Sequence, residues 1–113
     1  MKQGEIWLIN LDPSIGSEIK KTRPAVIVSD DALGKLPLKI IVPVTEWKDR
    51  FDVAPWMVRI EADNESKLSK LSCADCFQVR SVSVDRFIKK IGDVSGSVQY
   101  EIRSGLSKVL SIE

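Results

Sequence analysis

The chain has 113 residues, enough for one domain built around one modest core. Apolar residues make up 43% and charged residues 29%, and the formal net charge is +1. Bulk electrostatics therefore do not mark a nucleic-acid binder, and any such role would rest on local patches. There is no histidine, which removes imidazole acid–base pairs and nitrogen-rich metal sites from consideration. No apolar run approaches the roughly 20 residues that cross a bilayer. The first residues carry Lys2, Glu5 and Asp12 in place of a signal-peptide core, so the expectation is a cytoplasmic protein.

In chain order, residues 4–11 (GEIWLINL) predict a first strand rich in aromatic and β-branched residues. Pro13, Gly16 and Ser17 place a long polar loop over 12–22. Residues 24–29 (PAVIVS) are apolar throughout, as expected of a strand covered on both faces. An irregular crossing over 30–37 leads to a strand at 38–45, LKIIVPVT. There Leu38, Ile40, Val42 and Val44 share one face, expected to be the core face, and Thr45 points away from it. Pro43 cannot donate a ladder hydrogen bond, which predicts an edge or a bulge. A polar loop is expected over 46–54. Trp56, Val58 and Ile60 then alternate with Met57, Arg59 and Glu61 as a half-buried strand.

A charged loop covers 62–71. Alternation resumes over 76–82, with Phe77 and Val79 expected inward and Gln78 and Arg80 outward. A short helix or turn is expected around 84–90, stopped by Gly92. Val98, Ile102, Leu106, Val109 and Leu110 then recur at helical spacing, with Ser95 or Ser97 as the N-cap. The outcome is about five strands and one amphipathic C-terminal helix in a single domain over residues 1–113, which suits a small barrel or strongly bent sheet. Cys73 and Cys76 form one CxxC that precedes a strand-like run rather than opening a helix. With no His and no further Cys it falls short of a zinc site, and a structural role is expected.

The candidate chemistry lies on outward-facing polar residues near strand ends. Arg23 opens the second strand after the basic pair Lys20 and Lys21, and Thr45 closes the third. Lys48 follows in the next loop. Gln78 and Arg80 sit on a later strand, and Glu18 lies in the loop that leads to Arg23. Taken together they supply cation, hydroxyl and amide groups suited to reading phosphate and base, with no metal-binding cluster. Taken singly, each is an ordinary surface residue.

The order of these segments resembles the MazF/PemK toxin family. GEIWLINLD at 4–12, then Pro13 and Gly16-Ser17-Glu18, resemble its opening strand and loop. Thr22-Arg23-Pro24-Ala25-Val26-Ile27-Val28-Ser29 resembles its RPAV strand, the most specific stretch. Val42-Pro43-Val44-Thr45, Gln78-Val79-Arg80-Ser81 and Ile91-Gly92 ahead of a terminal helix are also similar, so the likeness spans nearly the whole chain.

The resemblance implies a mainly β fold: a small SH3-like β-barrel (CcdB/PemK-like) with a C-terminal α-helix, usually a homodimer. It implies sequence-selective, metal-independent cleavage of single-stranded RNA, often messenger RNA, and no cofactor. It also implies an antitoxin whose flexible tail occupies the RNA groove. The family's catalytic arginine and threonine carry over onto Arg23 and Thr45, and Glu18 and Gln78 match positions near the substrate. Lys20, Lys21, Lys48 and Arg80 are added as RNA contacts, and Trp47 or Trp56 as a stacking surface, with the core the expected place for Trp56. Two departures stand out: Glu46 follows Thr45 where many relatives have a small polar residue, and Phe77 precedes Gln78 where many have Asp. A CcdB-like topoisomerase-binding toxin and an inactive RNA-binding relative are the alternatives, and Arg23 and Thr45 occurring together favour the nuclease.

Overall fold

A computed structural model describes residues 1–112. Seven strands and one helix carry the fold. The strands are β1 (Glu5–Asn10), β2 (Thr22–Ile27), β3 (Leu38–Glu46), β4 (Met57–Ile60), β5 (Ser72–Asp75), β6 (Arg80–Ser83) and β7 (Phe87–Asp93), and the helix is α1 (Gly96–Leu110). The paired order is β4-β5-β3-β2-β1-β7, with β6 also on β3, and every pairing is antiparallel. The sheet does not close on itself; β4 and β7 are its ends. The architecture is mainly β with a C-terminal helix, as expected, although two more strands form than the five the alternation suggested.

The extra strands have physical causes. β5 is SCAD, four buried residues too short and too small to show a period. The segment around 84–90 opens with the expected turn, a 3₁₀ turn over Val84–Arg86, but continues as β7, and Gly92 lies within that strand. β7 is recruited by pairing with β1, a tertiary contact that overrides weak local preference. The strand expected over 76–82 is broken by a 3₁₀ turn at Cys76–Gln78, where the Asp75 carboxylate accepts from the Phe77 N–H. That turn resets the alternation, and Phe77, expected inward, is 66% exposed.

β3 is the centre of the sheet. One side pairs with β2 along Ala25–Pro43, Val26–Val42 and Ile27–Ile41. The other pairs with β6 over Leu38–Ile41 and with β5 over Val44–Glu46. Pro43 falls in the interval between those two partners, so its missing N–H interrupts neither pairing. It is therefore not at a sheet edge but fully buried, in a strand that changes neighbours around it.

The core lies on both faces of β1, β2 and β3. Ile6, Val26, Val42 and Val44 point to one side and pack with Val58, Ile60, Ala74, Cys76, Val94 and the helix residue Ile102. Ile9, Leu11, Ala25, Ile27 and Ile41 point to the other and pack with Val82, flanked by Trp7, Ile19 and Phe87. The apolar PAVIVS run is thus covered on both faces, as its composition predicts. The even face of β3 is core only from Val42 onward. Leu38 and Ile40, expected inside, are 47% and 43% exposed, because α1 packs against β4 and the Cys76–Gln78 turn and does not reach that end.

α1 starts at Ser95, whose hydroxyl accepts from the Val98 N–H as an N-cap should. Its mid-helix glycine has a packing reason: a Cβ on Gly105 would stand 2.9 Å from the Cys76 Sγ. Gly92 is tighter still, since a Cβ there would overlap the Ser66 carbonyl. No described helix is long and apolar enough to cross a membrane. Cys73 and Cys76 are both free and fully buried. Burial, reinforced by the Asp75 carboxylate, pushes their thiols up to about 11 and about 12.

Two outcomes follow. Gly92→Ala should destabilise by about 1–3 kcal/mol through overpacking, seen as a lower urea midpoint at unchanged slope. The cysteines favour the neutral thiol in the folded state, so their contribution to stability is complete below the ordinary thiol value of about 9 and is lost as pH rises toward 11–12. A disulfide-exchange reagent at pH 8 should leave both thiols untouched in the native protein and titrate both in denaturant.

Candidate functional site

Because β2 and β3 are buried on both faces, their polar residues are confined to their ends. Counting on from the Ala25–Pro43 pair in the antiparallel register brings Arg23 opposite Thr45. Both line one open cleft of about 400 Å³, with Pro24, Glu46, Lys48, Lys70 and Ser72 among its walls. The lining holds three cationic side chains, Arg23, Lys48 and Lys70, against one carboxylate, Glu46. Glu46 is turned to Lys70, Oε2 to Nζ 3.7 Å, rather than to Lys48. Arg23 is exposed and has no ion-pair partner among the described residues. The cleft is thus locally cationic on a chain of almost neutral net charge.

A second cleft, of about 540 Å³, is lined by Ser17, Glu18, Ile19, Pro43, Phe77, Gln78, Val79 and Arg80. Pro43 and Thr45 are two residues apart on β3, so they face the same side of the sheet about 7 Å apart. The two clefts therefore adjoin along that face. The wall of the second is the loop between β1 and β2, and it is tied down from beneath. The Gln78 Oε1 accepts from the Ile19 N–H at 2.6 Å, and its Nε2 donates to the Ser17 carbonyl and to the Asp75 Oδ2, each at 3.3 Å. An Arg80 guanidinium nitrogen donates to the Leu11 carbonyl at 3.3 Å. Arg86 donates to the carbonyls of Asn10 and Asp12. Within the loop, Glu18 Oε1 accepts from the Ile15 N–H and Asp12 Oδ1 from the Lys21 N–H.

Asp75 anchors this arrangement. It is only 6% exposed, and burial pushes its carboxyl above the usual carboxylate range, against the hydrogen bonds from Phe77 and Gln78 that favour the ionised form. The Ile19 backbone N–H can only donate, which fixes Gln78 with its carbonyl toward Ile19 and its NH₂ toward Asp75.

Residues 2–110 match a family model described as PemK-like, MazF-like toxin of type II toxin-antitoxin system. The chain belongs to that family. It is 32% identical to Endoribonuclease MazF9 of Mycobacterium tuberculosis, across 99% of this chain and 98% of that one. It is 30% identical to Endoribonuclease PemK of Escherichia coli, across 98% of this chain and 83% of that one. The crystal structure of MazF from Deinococcus radiodurans superposes with a TM-score of 0.83 at 24% identity, covering 99% of this chain and 97% of that one, which bears on the fold.

In this toxin the structure brings Arg23, Thr45 and Lys48 into one cleft and Glu18, Gln78 and Arg80 into its neighbour. Lys20 and Lys21 are exposed on the connecting loop and line neither. Trp47 is drawn away: it lines a separate cleft with Tyr100, its ring edge-on to Phe51 at 6.1 Å and under the Arg59 guanidinium at 5.6 Å. Strand alternation does not decide this: β3 ends at Glu46, so Trp47 lies beyond it, and its contacts with Phe51 and Arg59 hold the ring in the other cleft. Trp56 packs against the core, as its alternation predicts. Three residues escape sequence reasoning. Lys70 lies in a charged loop with nothing to single it out. Asp75 becomes notable only through burial, and Phe77, singled out only as a departure from the family pattern, reaches the cleft wall through the 3₁₀ turn.

Gln78→Met keeps the length of the side chain and removes all three hydrogen bonds. With each bond worth about 1 kcal/mol net, the Ile19 amide should exchange about tenfold faster by NMR while the β2–β3 ladder amides keep their protection. Unchanged Ile19 exchange would mean that the arginines alone hold the loop.

Proposed function

We propose that this toxin is a metal-independent endoribonuclease that cuts single-stranded RNA, messenger RNA included, in the bacterial cytoplasm. The observation that carries the reading is Arg23, without an ion-pair partner, beside Thr45 in a cation-lined cleft, in a chain related throughout its length to proteins named endoribonucleases. The described residues hold no group of three His, Cys, Asp or Glu placed to ligate a metal ion, and the donors that are present suit a phosphate.

In the reaction proposed, the ribose 2′-oxygen forms a bond to the adjacent phosphorus as the bond from phosphorus to the 5′-oxygen breaks. The products are a 2′,3′-cyclic phosphate and a 5′-hydroxyl end; the 2′-OH proton leaves and a proton is delivered to the departing 5′-oxygen. Charge accumulates on the non-bridging oxygens. Arg23 is always protonated and offers a planar fork of donors to that charge. Thr45 donates a hydrogen bond to the same group or orients it. Lys48, with Lys70, neutralises neighbouring phosphates. Gln78, Arg80 and Glu18 contact flanking nucleotides from the second cleft, and the need for a 2′-OH restricts the reaction to RNA.

The antitoxin partner follows from the same geometry. A flexible acidic or amphipathic tail lying along the two clefts would occupy the phosphate site and block substrate. Two copies of the chain are proposed to pair about a two-fold axis, which would enlarge a small core and extend the groove.

The test is cleavage of a long unstructured RNA in excess EDTA, with Arg23→Ala alongside. Wild type should cut and leave 5′-hydroxyl ends. Arg23→Ala should lose about 10²–10³ in rate, the usual cost of one preorganised donor. Arg23→Lys should recover only part of it, since the charge returns without the fork. An RNA left intact by wild-type protein at high concentration would sink the reading.

A further inference from the structure

The second cleft contains a feature that its polar residues do not explain. Phe77 is 66% exposed. Among the described residues only one other large aromatic, Tyr100, is comparably open, and it lies in the separate cleft with Trp47. Exposing a ring of this size forgoes about 2 kcal/mol of burial, so its position calls for a use. Other exposed apolar residues, such as Val53 and Ile15, line neither of the two clefts. Phe77 instead stands next to the amide of Gln78 and near the guanidinium of Arg80, in the wall of a cleft that adjoins the one holding Arg23 and Thr45.

The ring is also held in place. Its backbone is fixed by the Asp75 carboxylate, which accepts from the Phe77 N–H at 3.1 Å. Its side chain meets Trp56 in a T-shaped contact, with centroids 5.8 Å apart and planes at 63°. Trp56 in turn packs against the main core cluster. A rigid, half-buttressed aromatic beside an amide and a cation is the composition that holds an unpaired nucleobase. The π-face takes the base by stacking, the remaining lone pair of the Gln78 carbonyl oxygen accepts from its edge, and the cation takes the neighbouring phosphate. A flexible protein segment would equally value the apolar ring, but it has less use for the guanidinium and amide around it.

We propose that Phe77 is a base-stacking residue of the substrate groove, holding one unpaired base of the RNA against its ring beside Gln78 while the scissile phosphate lies at Arg23 and Thr45. This rests on the endoribonuclease reading and adds a specificity determinant to it. Trp47, the more obvious aromatic in the sequence, is excluded from that place by its turn into a different cleft. The stacking costs little in preorganisation, because the ring is already fixed in the unbound protein.

The experiment uses the full chain and two RNAs. Sequencing the cut ends of a long RNA gives the preferred site. A short labelled oligoribonucleotide carrying that site, with 2′-deoxyribose at the scissile nucleotide to block attack, then measures binding by anisotropy. Phe77→Ala should weaken binding about tenfold and raise KM with little change in kcat. It should also relax the preference at one nucleotide of the site. The dependence of affinity on salt should stay the same, since no phosphate contact is removed; Lys48→Ala should lower that dependence instead. Phe77→Trp should bind at least as well as wild type. Wild-type affinity and preference in Phe77→Ala would overturn the stacking role and leave the ring to a protein partner. A Trp variant as weak as the Ala variant would overturn it too, because any flat ring should serve. Wild-type protein that neither binds nor cuts RNA would overturn the endoribonuclease reading, and the stacking with it.

Discussion

The burial of β2 and β3 on both faces governs the rest of this molecule. One face packs against the helix and the β4–β5 hairpin; the other packs against Leu11, Ile19, Val82 and their neighbours. A strand covered on both sides has no room for charge in its middle. Polar chemistry is therefore pushed to the strand ends, where Arg23 begins β2 and Thr45 nears the end of β3. Antiparallel pairing then brings those two ends together. The cleft is a consequence of how the core is built.

The second face of the core has no helix to cover it. The loop from Leu11 to Lys21 does that work, and it can do so only because it is tied at several points. Gln78 holds its middle, Arg80 and Arg86 hold its start, and the Leu11–Lys21 backbone bond closes its base. Residues that look from the sequence like ligand contacts thus carry structural bonds as well. The two roles are compatible. Gln78 and Arg80 both line the second cleft, and the Arg80 hydrogen bond to Leu11 engages only one nitrogen of its guanidinium. Proteins commonly place functional side chains where a rigid partner fixes their rotamers, and here the fixed partner is the loop that forms the cleft wall.

Glu46, the departure from the family pattern directly after Thr45, has its local charge conflict resolved by a distant residue. Its carboxylate turns to Lys70 from the charged 62–71 loop. Both side chains are more than half exposed, so the pair is screened and weak, but it biases where the negative charge sits relative to Arg23. Phe77, the other departure from the family pattern, moves from an expected core position to the cleft wall. Its displacement traces to a single hydrogen bond, from its own N–H to Asp75, which turns the chain and resets the alternation.

The elements with strong periodicity were legible from the residues alone. The two aromatic and apolar strands at the front, the buried alternation of Val58 and Ile60, and the capped C-terminal helix all follow from residue pattern, because 2-fold and 3.6-fold spacing are local properties. The motif order also singled out Arg23 and Thr45. Long-range packing settled what local pattern cannot encode: that β5 and β7 form, since short or exposed runs become strands by pairing; that Leu38 and Ile40 are left outside the helix's reach; and that Pro43 is buried at a change of strand partners. It also set which residues line the two clefts: Trp47 lines neither, Lys70 and Phe77 line one each, and Asp75 lies buried next to Phe77. Those residues are placed by long-range contacts, whose geometry depends on how the sheet bends and which loops it holds, and that information is spread over the whole chain.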